Sequence, residues 1–246
     1  MNFNIFMAPL IFVMFPLAWV ITIAWNNRRN PTTRAFMWFT ICVFLWVLSY
    51  ALELASTSFE GISFWLKFEY VFFQGGVLLW LIFVFNYVNL ERHLTRGRIV
   101  LLTIIPIITL AHVLTNDQHH LFWSRTDTIE AYGVIFFDRD YGPVFWLWSV
   151  YSYFLGGVGI LLLLRRSIFG QTLYRGQALW LSIGVSFVVI ASLLTIFRLV
   201  PVPQLDLTPY GAALLCIPVG VALFRYRLLD LMPAAYAAVF QHMSDA

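Results

Sequence analysis

The ionisable side chains embedded in apolar sequence are the ones that could do chemistry. Charged groups are costly away from water, and they persist there when they pair with one another or bind something. Glu53 follows Trp46 and Tyr50 at i, i+4, i+7, a single helical face. Lys67, Tyr70 and Gln74 share another face, with Glu69 beside them. His112 sits near the end of a further apolar run. Trp146, Ser149 and Tyr153 open the next, Arg198 closes the one after it, Asp206 precedes the last and Thr208 starts it. The set Tyr50, Glu53, Lys67, Glu69, Tyr70, Gln74, His112, Trp146, Ser149, Tyr153, Arg198 and Asp206 reads as the lining of a ligand pocket. In it, aromatic rings would stack on an apolar body. Arg198 and Lys67 would attract an anionic group. Glu53, Glu69 and Asp206 would pair with those cations or receive an amine. Ion pairing that merely locks helices together needs the same residues, and the sequence leaves both readings open.

Other chemistries find little support. Asp117, His119 and His120 match no defensible metal-site spacing, so no metal is expected. The chain has no HExxH, no phosphate-cradling glycine loop and no nucleophile–base spacing, so no catalytic residue is assigned. Lys67 is the only lysine, and the last apolar run, Leu207–Phe224, has none to form a Schiff base. A retinal cofactor is therefore not expected. A net charge of +3 is too small to suggest nucleic acid. Cys42 and Cys216 both lie in apolar runs and suggest no external disulfide framework.

The elements that must position these residues follow from composition. Of 246 residues, 61% are hydrophobic and 11% charged, against roughly 25% charged in a soluble domain. The solvent that suits such a chain is a bilayer. Seven runs are close to the length of about 20 residues that a membrane helix needs: Ile5–Trp25, Arg34–Ala55, Phe64–Val88, Ile99–Leu114 (extended a few residues at one end), Pro143–Leu164, Gln177–Val200 and Leu207–Phe224. Helix is the default, because backbone polar groups must be satisfied within lipid and period-two alternation is absent. The expected fold is an all-α seven-helix membrane bundle. Arg28, Arg29, Arg34, Arg92, Arg96, Arg98, Arg165, Arg166 and Arg175 lie in the odd loops, and Arg225 and Arg227 in the tail, which predicts those segments to be cytoplasmic and the amino terminus external.

Residues 115–142 form the one long loop. Within it, Tyr132–Phe137 has strand composition and Gly142–Pro143 closes the segment, so a small external hairpin or lid is expected. The glycines Gly75–Gly76 and Gly156–Gly157–Gly159 read as sites of close helix packing. The inner halves of the helices carry no continuous polar path, which argues against a channel or pump and favours a blind outer pocket. Residues 1–227 form the membrane domain and 228–246 a cytoplasmic linker. In the linker Tyr236, Val239, Phe240 and Met243 make an apolar stripe suited to a second copy or a following domain, or to the membrane surface.

Ordered pieces along nearly the whole chain resemble a known family. They are Trp65 with Phe68–Glu69–Tyr70, then Trp80, Phe83 and Tyr87, His120–Leu121–Phe122–Trp123, Gly142 with Phe145–Trp146, Tyr151–Ser152–Tyr153, Tyr174–Arg175–Gly176–Gln177, Asp206–Leu207–Thr208–Pro209, and the closing Leu228–Pro233 with Val239–Phe240 and Met243–Asp245. Together they are similar to the seven-helix amino-terminal sensor region of bacterial histidine kinases. The family often has a proline where this chain has Val77–Leu78. The resemblance implies a receptor of a bacterial inner membrane within a two-component or related signalling system. Its linker would pair in a homodimer and lead into a PAS, kinase or diguanylate cyclase domain, where any enzymatic activity would reside. The partners expected are an external small molecule and the lipid bilayer. A small-solute transporter and a ligand-free assembly module are the alternatives.

Overall fold

Caps and prolines set where the apolar runs become helices. In the computed structural model, which describes residues 2–170, 172–200, 202 and 204–226, Asn30 accepts a hydrogen bond from the Thr32 N–H and Pro31 occupies the first turn, so α2 (Pro31–Ala55) starts ahead of its apolar run. Ser58 caps α3 (Phe59–Tyr87) and Thr95 caps α4 (Arg96–Leu114). Each of these helices begins three to five residues before the hydrophobic boundary read from the sequence, because the polar first turn is stabilised by its cap. Among the described residues these three, with α1 (Met7–Asn26), α6 (Pro143–Phe169) and α7 (Thr172–Ile196), are the six helices long and apolar enough to cross a membrane.

The last apolar run is different. It forms α8 (Thr208–Leu214) and α9 (Cys216–Tyr226), interrupted at Leu215. Pro218 has no N–H to offer the carbonyl of Leu214, which explains the break. The path nevertheless continues, since Leu215 N–H bonds to Gly211 O and Val219 N–H to Leu215 O. Arg227 and the linker stripe of Tyr236, Val239, Phe240 and Met243 lie outside the described residues.

Packing closes the helices into a ring. In order, α1 packs on α2, α2 on α3, α3 on α4, α4 on α6, α6 on α7, α7 on α8 and α9, and these return to α1; α3–α6 and α2–α8 contacts cross the interior. The ring's outside is apolar: Phe12, Phe15, Leu101, Ile107, Leu147, Val150, Phe154 and Leu161 are all well exposed. In water each would forfeit about 1.5–3 kcal/mol of burial energy, which a bilayer returns. The loops rich in arginine gather at one end. There the Tyr87 hydroxyl reaches Gln177 Oε1 (2.9 Å), tying α3 to α7.

At the other end β1 (Trp123–Ala131) pairs antiparallel with β2 (Val134–Tyr141). Sequence composition put Tyr132 and Gly133 in a strand. Instead they form the two-residue turn, both with positive φ (54° and 71°), as a right-twisted hairpin requires. The four-residue helix α5 (Asn116–His119), which the sequence did not announce, precedes the hairpin. The buried side chain of Asn116 accepts from the N–H groups of Phe122 and Trp123 and donates to Trp123 O. These contacts seat Phe122 and Trp123 on Tyr70, Phe145 and Trp148 in an aromatic cluster beneath the strands.

Gly142 closes the hairpin against Leu121. A Cβ there would stand 2.2 Å from the Leu121 carbonyl oxygen, and the Gly142 N–H bonds to Phe122 O. Gly142→Ala must therefore push the strands off the bundle. It should lower stability by about 1–3 kcal/mol and open residues 121–142 to limited proteolysis; cleavage at the wild-type rate would contradict the assignment.

Candidate functional site

The site is built where the hairpin meets the ends of α2, α3, α6, α7 and α8. Along β2 alternate residues share a face, so Arg139 and Tyr141 point the same way as Phe137. Arg139 enters the bundle and its Nη2 donates to Asp206 Oδ2 at 3.0 Å, with the two side chains only 10% and 20% exposed. Asp206 is held from several sides. Its Oδ1 accepts from the Thr208 N–H, its own N–H donates to the Tyr50 hydroxyl, and the neighbouring Leu207 N–H donates to Thr195 Oγ1. The carboxyl groups of Glu53 and Glu69 lie within hydrogen-bonding reach of each other near this pair. Both residues are buried, at 5% and 4% exposure, and apart from this mutual approach Glu53 Oε2 and Glu69 Oε1 have no hydrogen-bond partner.

Two adjoining cavities lie here. The smaller, about 40 Å³, is lined by Glu69, Tyr70, Arg139, Tyr141 and Asp206 among others. The larger, about 120 Å³, extends deeper between α2, α3, α6, α7 and α8 and is almost wholly apolar, with Cys42, Val43, Trp80, Gly156, Val185 and Leu215 in its wall. They share Trp46, Phe73, Trp148, Ser192, Ile196 and Thr208. The Trp148 indole N–H donates to Gln74 Oε1 (2.9 Å), which fixes the ring between the chambers.

The residues picked from sequence divide into three groups. Glu69, Tyr70 and Asp206 line the smaller chamber, and Ser149 and Tyr153 the larger, the Tyr153 hydroxyl meeting Ser192 Oγ at 2.7 Å. Tyr50, Glu53 and Gln74 stand behind the walls as supports. Lys67, His112, Trp146 and Arg198 line neither chamber. Lys67 Nζ pairs with Asp117 at 2.5 Å on the bundle exterior. His112 bonds to Ile108 O and stacks on His119. Trp146 is half-exposed, because α6 turns Phe145 and Trp148 inward instead. Arg198 sits past the end of α7 at φ 54° and swings outward to Asp140 (2.8 Å) and Arg139 O.

Of the readings left open, pairing of Glu53, Glu69 and Asp206 with Lys67 and Arg198 is not what the structure has: the cation turned into the bundle is Arg139, supplied by the hairpin, and it bonds Asp206. Packing glycines need a correction too. Gly159 does pack closely, a Cβ there meeting Trp80 Nε1 at 2.4 Å, but Gly156 and Gly157 face open space.

Across the hairpin the exposed Arg125 bridges the buried Asp138 (2.7 Å) and the half-exposed Asp140 (2.9 Å). The hydrogen bond from Arg125 holds the Asp140 carboxyl below the usual carboxylate range. Among the described residues no cluster of His, Cys, Asp and Glu is arranged to hold a metal ion.

A family model described as the N-terminal 7TM region of histidine kinase matches residues 9–233. Neither the curated proteins nor the solved structures compared with the chain gave a match.

The two arginine pairs should separate on substitution. Removing one partner of a buried pair strands a charge and costs about 3–5 kcal/mol, whereas exposed pairs contribute about 0–1 kcal/mol. Thermal unfolding in detergent should show Arg139→Met strongly destabilised and Arg198→Ala close to wild type; equal effects would contradict the burial assigned to Arg139.

Proposed function

The chain belongs to the family of N-terminal 7TM regions of histidine kinases, a signalling module of multi-pass membrane proteins, and on that premise we propose that it is a receptor whose paired cavities hold a small ligand. The single observation that carries the reading is the 120 Å³ apolar cavity beneath the clasped hairpin, continuous in its walls with a polar chamber. Pockets of this make-up, apolar with a few convergent polar groups, are the usual form of a small-molecule site.

Orientation follows from charge. The arginine-rich loops share the end opposite the hairpin, which supports a cytoplasmic placement for them and an external one for the hairpin. The seventh crossing would be α8 with α9 and the residues after it. The N-terminus would then be external, and the linker beyond residue 227 would run into the cytoplasm, pairing with a second copy and feeding a kinase or cyclase domain. No catalytic step, metal or cofactor is assigned to the membrane region itself.

The route from ligand to output runs through the break in the last helix. Leu215, where α8 gives way to α9, lines the larger cavity and also a small recess against α1 and α2. A Cβ on Gly184 would meet Leu215 Cδ1 at 2.6 Å, so α7 grips this side chain closely. An occupant pressing on Leu215 acts at the point where the helix lacks a hydrogen bond and bends most cheaply. It shifts output by binding one arrangement better than the other.

Filling the cavity from the protein side imitates the occupant. Gly156 lines the larger chamber and a Cβ there meets no atom within 4 Å, so Gly156→Leu has room to fill it. In the full-length protein it should hold the output domain in one state, deaf to conditions that modulate wild type, and adding Leu215→Ala should relieve that lock. Wild-type modulation in a Gly156→Leu protein that reaches the membrane at normal levels would overturn the receptor reading.

A further inference from the structure

The polar atoms of the smaller chamber carry a statement about the occupant's chemistry, which rests on the receptor reading above. Its cation is already committed: Arg139 is bound to Asp206, whose other oxygen holds the Thr208 N–H. The neighbouring cations are committed elsewhere. Arg125 holds Asp138 and Asp140, Arg198 holds Asp140, and Lys67 holds Asp117 outside the bundle. Two buried acceptors, Glu69 Oε1 of a residue in the chamber wall and Glu53 Oε2 behind it, have no partner beyond each other's carboxyl group. Buried acceptors left without partners are expensive. Even with one proton shared between Glu53 and Glu69, the carboxylates of that pair and Asp206 outnumber the single arginine among them. An anionic head would meet this excess of carboxylate oxygens, whereas a cationic head is balanced by it.

The larger chamber sets the rest of the molecule. Its wall is apolar apart from the unpartnered Ser149 Oγ, Ser152 Oγ and Trp80 Nε1, which allow one hydrogen-bonding atom along a hydrocarbon body. A volume near 120 Å³ is somewhat below the ~150 Å³ of an apolar cavity that takes up benzene. We infer that the occupant is a small amphipathic amine, its cationic head donating to Glu69 in the smaller chamber and its short hydrocarbon body lying in the larger one against Trp46, Phe73 and Trp148.

Three probes of equal length test this: n-hexylamine, 1-hexanol and hexanoate, titrated against the chain in zwitterionic lipid nanodiscs. Binding is followed by tryptophan fluorescence, with empty nanodiscs and the Gly156→Leu chain subtracting partition into lipid. A hydrogen bond to a charged partner is worth about 1.5–3 kcal/mol, so hexylamine should bind at least about tenfold tighter than hexanol, with hexanoate weakest. Glu69→Gln keeps the shape of the site and should reduce the amine's advantage over the alcohol to about twofold or less, leaving hexanol binding unchanged. Hexanoate binding as well as hexylamine, or an amine preference that survives Glu69→Gln, would overturn the amine head while hexanol binding blocked by Gly156→Leu upholds the site. If none of the three shows binding sensitive to Gly156→Leu, the site itself is wrong. The wild-type ranking decides the head group even if a variant fails to fold.

Discussion

Arg139 leaves the hairpin and enters the bundle to meet Asp206, 3.0 Å away, where the last apolar segment begins. A guanidinium at that depth has a high desolvation cost, and the geometry repays it only if the strands lie flat on the helix ends. The hairpin's position, the covering of the smaller chamber and the start of α8 are therefore a single arrangement. Asp206 joins them because its two oxygens and its N–H each hold a different element: the hairpin, the first turn of α8, and Tyr50 of α2. Asn116 and Gly142 then secure the two ends of the hairpin from below.

Much of the frame was legible in the sequence because hydropathy is a one-dimensional signal. Runs of apolar residues gave the six long spans to within a few residues, with caps and first-turn polar residues accounting for the differences. Order-dependent motifs gave the family. The site was less legible, because a helical face constrains direction only to about a third of a turn. Lys67 shares a nominal stripe with Tyr70 and Gln74, yet sits far enough off it for Asp117 to draw it outside. Trp146 and Trp148 are two residues apart on α6, and only the packing of Phe145 against Phe122 and Tyr141 shows which faces inward. Arg198 was read as the end of a helix, but the helix stops at Ile196 and a left-handed residue turns the side chain away. Arg139 lies in the 115–142 loop, outside every apolar run, so hydropathy does not mark it. The signal that could have found it is the strand alternation Phe137, Arg139, Tyr141, set against Asp138 and Asp140 on the other face.

The arrangement has a functional logic. In the proposed receptor, a chamber under a clasped cover that shares walls with a deeper apolar cavity would place a ligand's two ends against different elements. The head would meet α3 beside the hairpin clasp, and the body the interrupted last helix at Leu215. A helix missing one hydrogen bond at a proline is a natural place to convert occupancy into a change of direction, and it is the helix that leads toward the cytoplasmic side in the orientation argued from the arginines.

The central claim is that Arg139 and Asp206 act as one unit joining cover to bundle. A double-mutant cycle with Arg139→Met and Asp206→Asn, read as unfolding free energy in nanodiscs or detergent, measures that directly. A partly buried, hydrogen-bonded ion pair should give a coupling energy of about 1.5–3 kcal/mol, the double variant losing far less than the two single variants together. Strict additivity of the two losses would show the residues to be independent and would contradict the account.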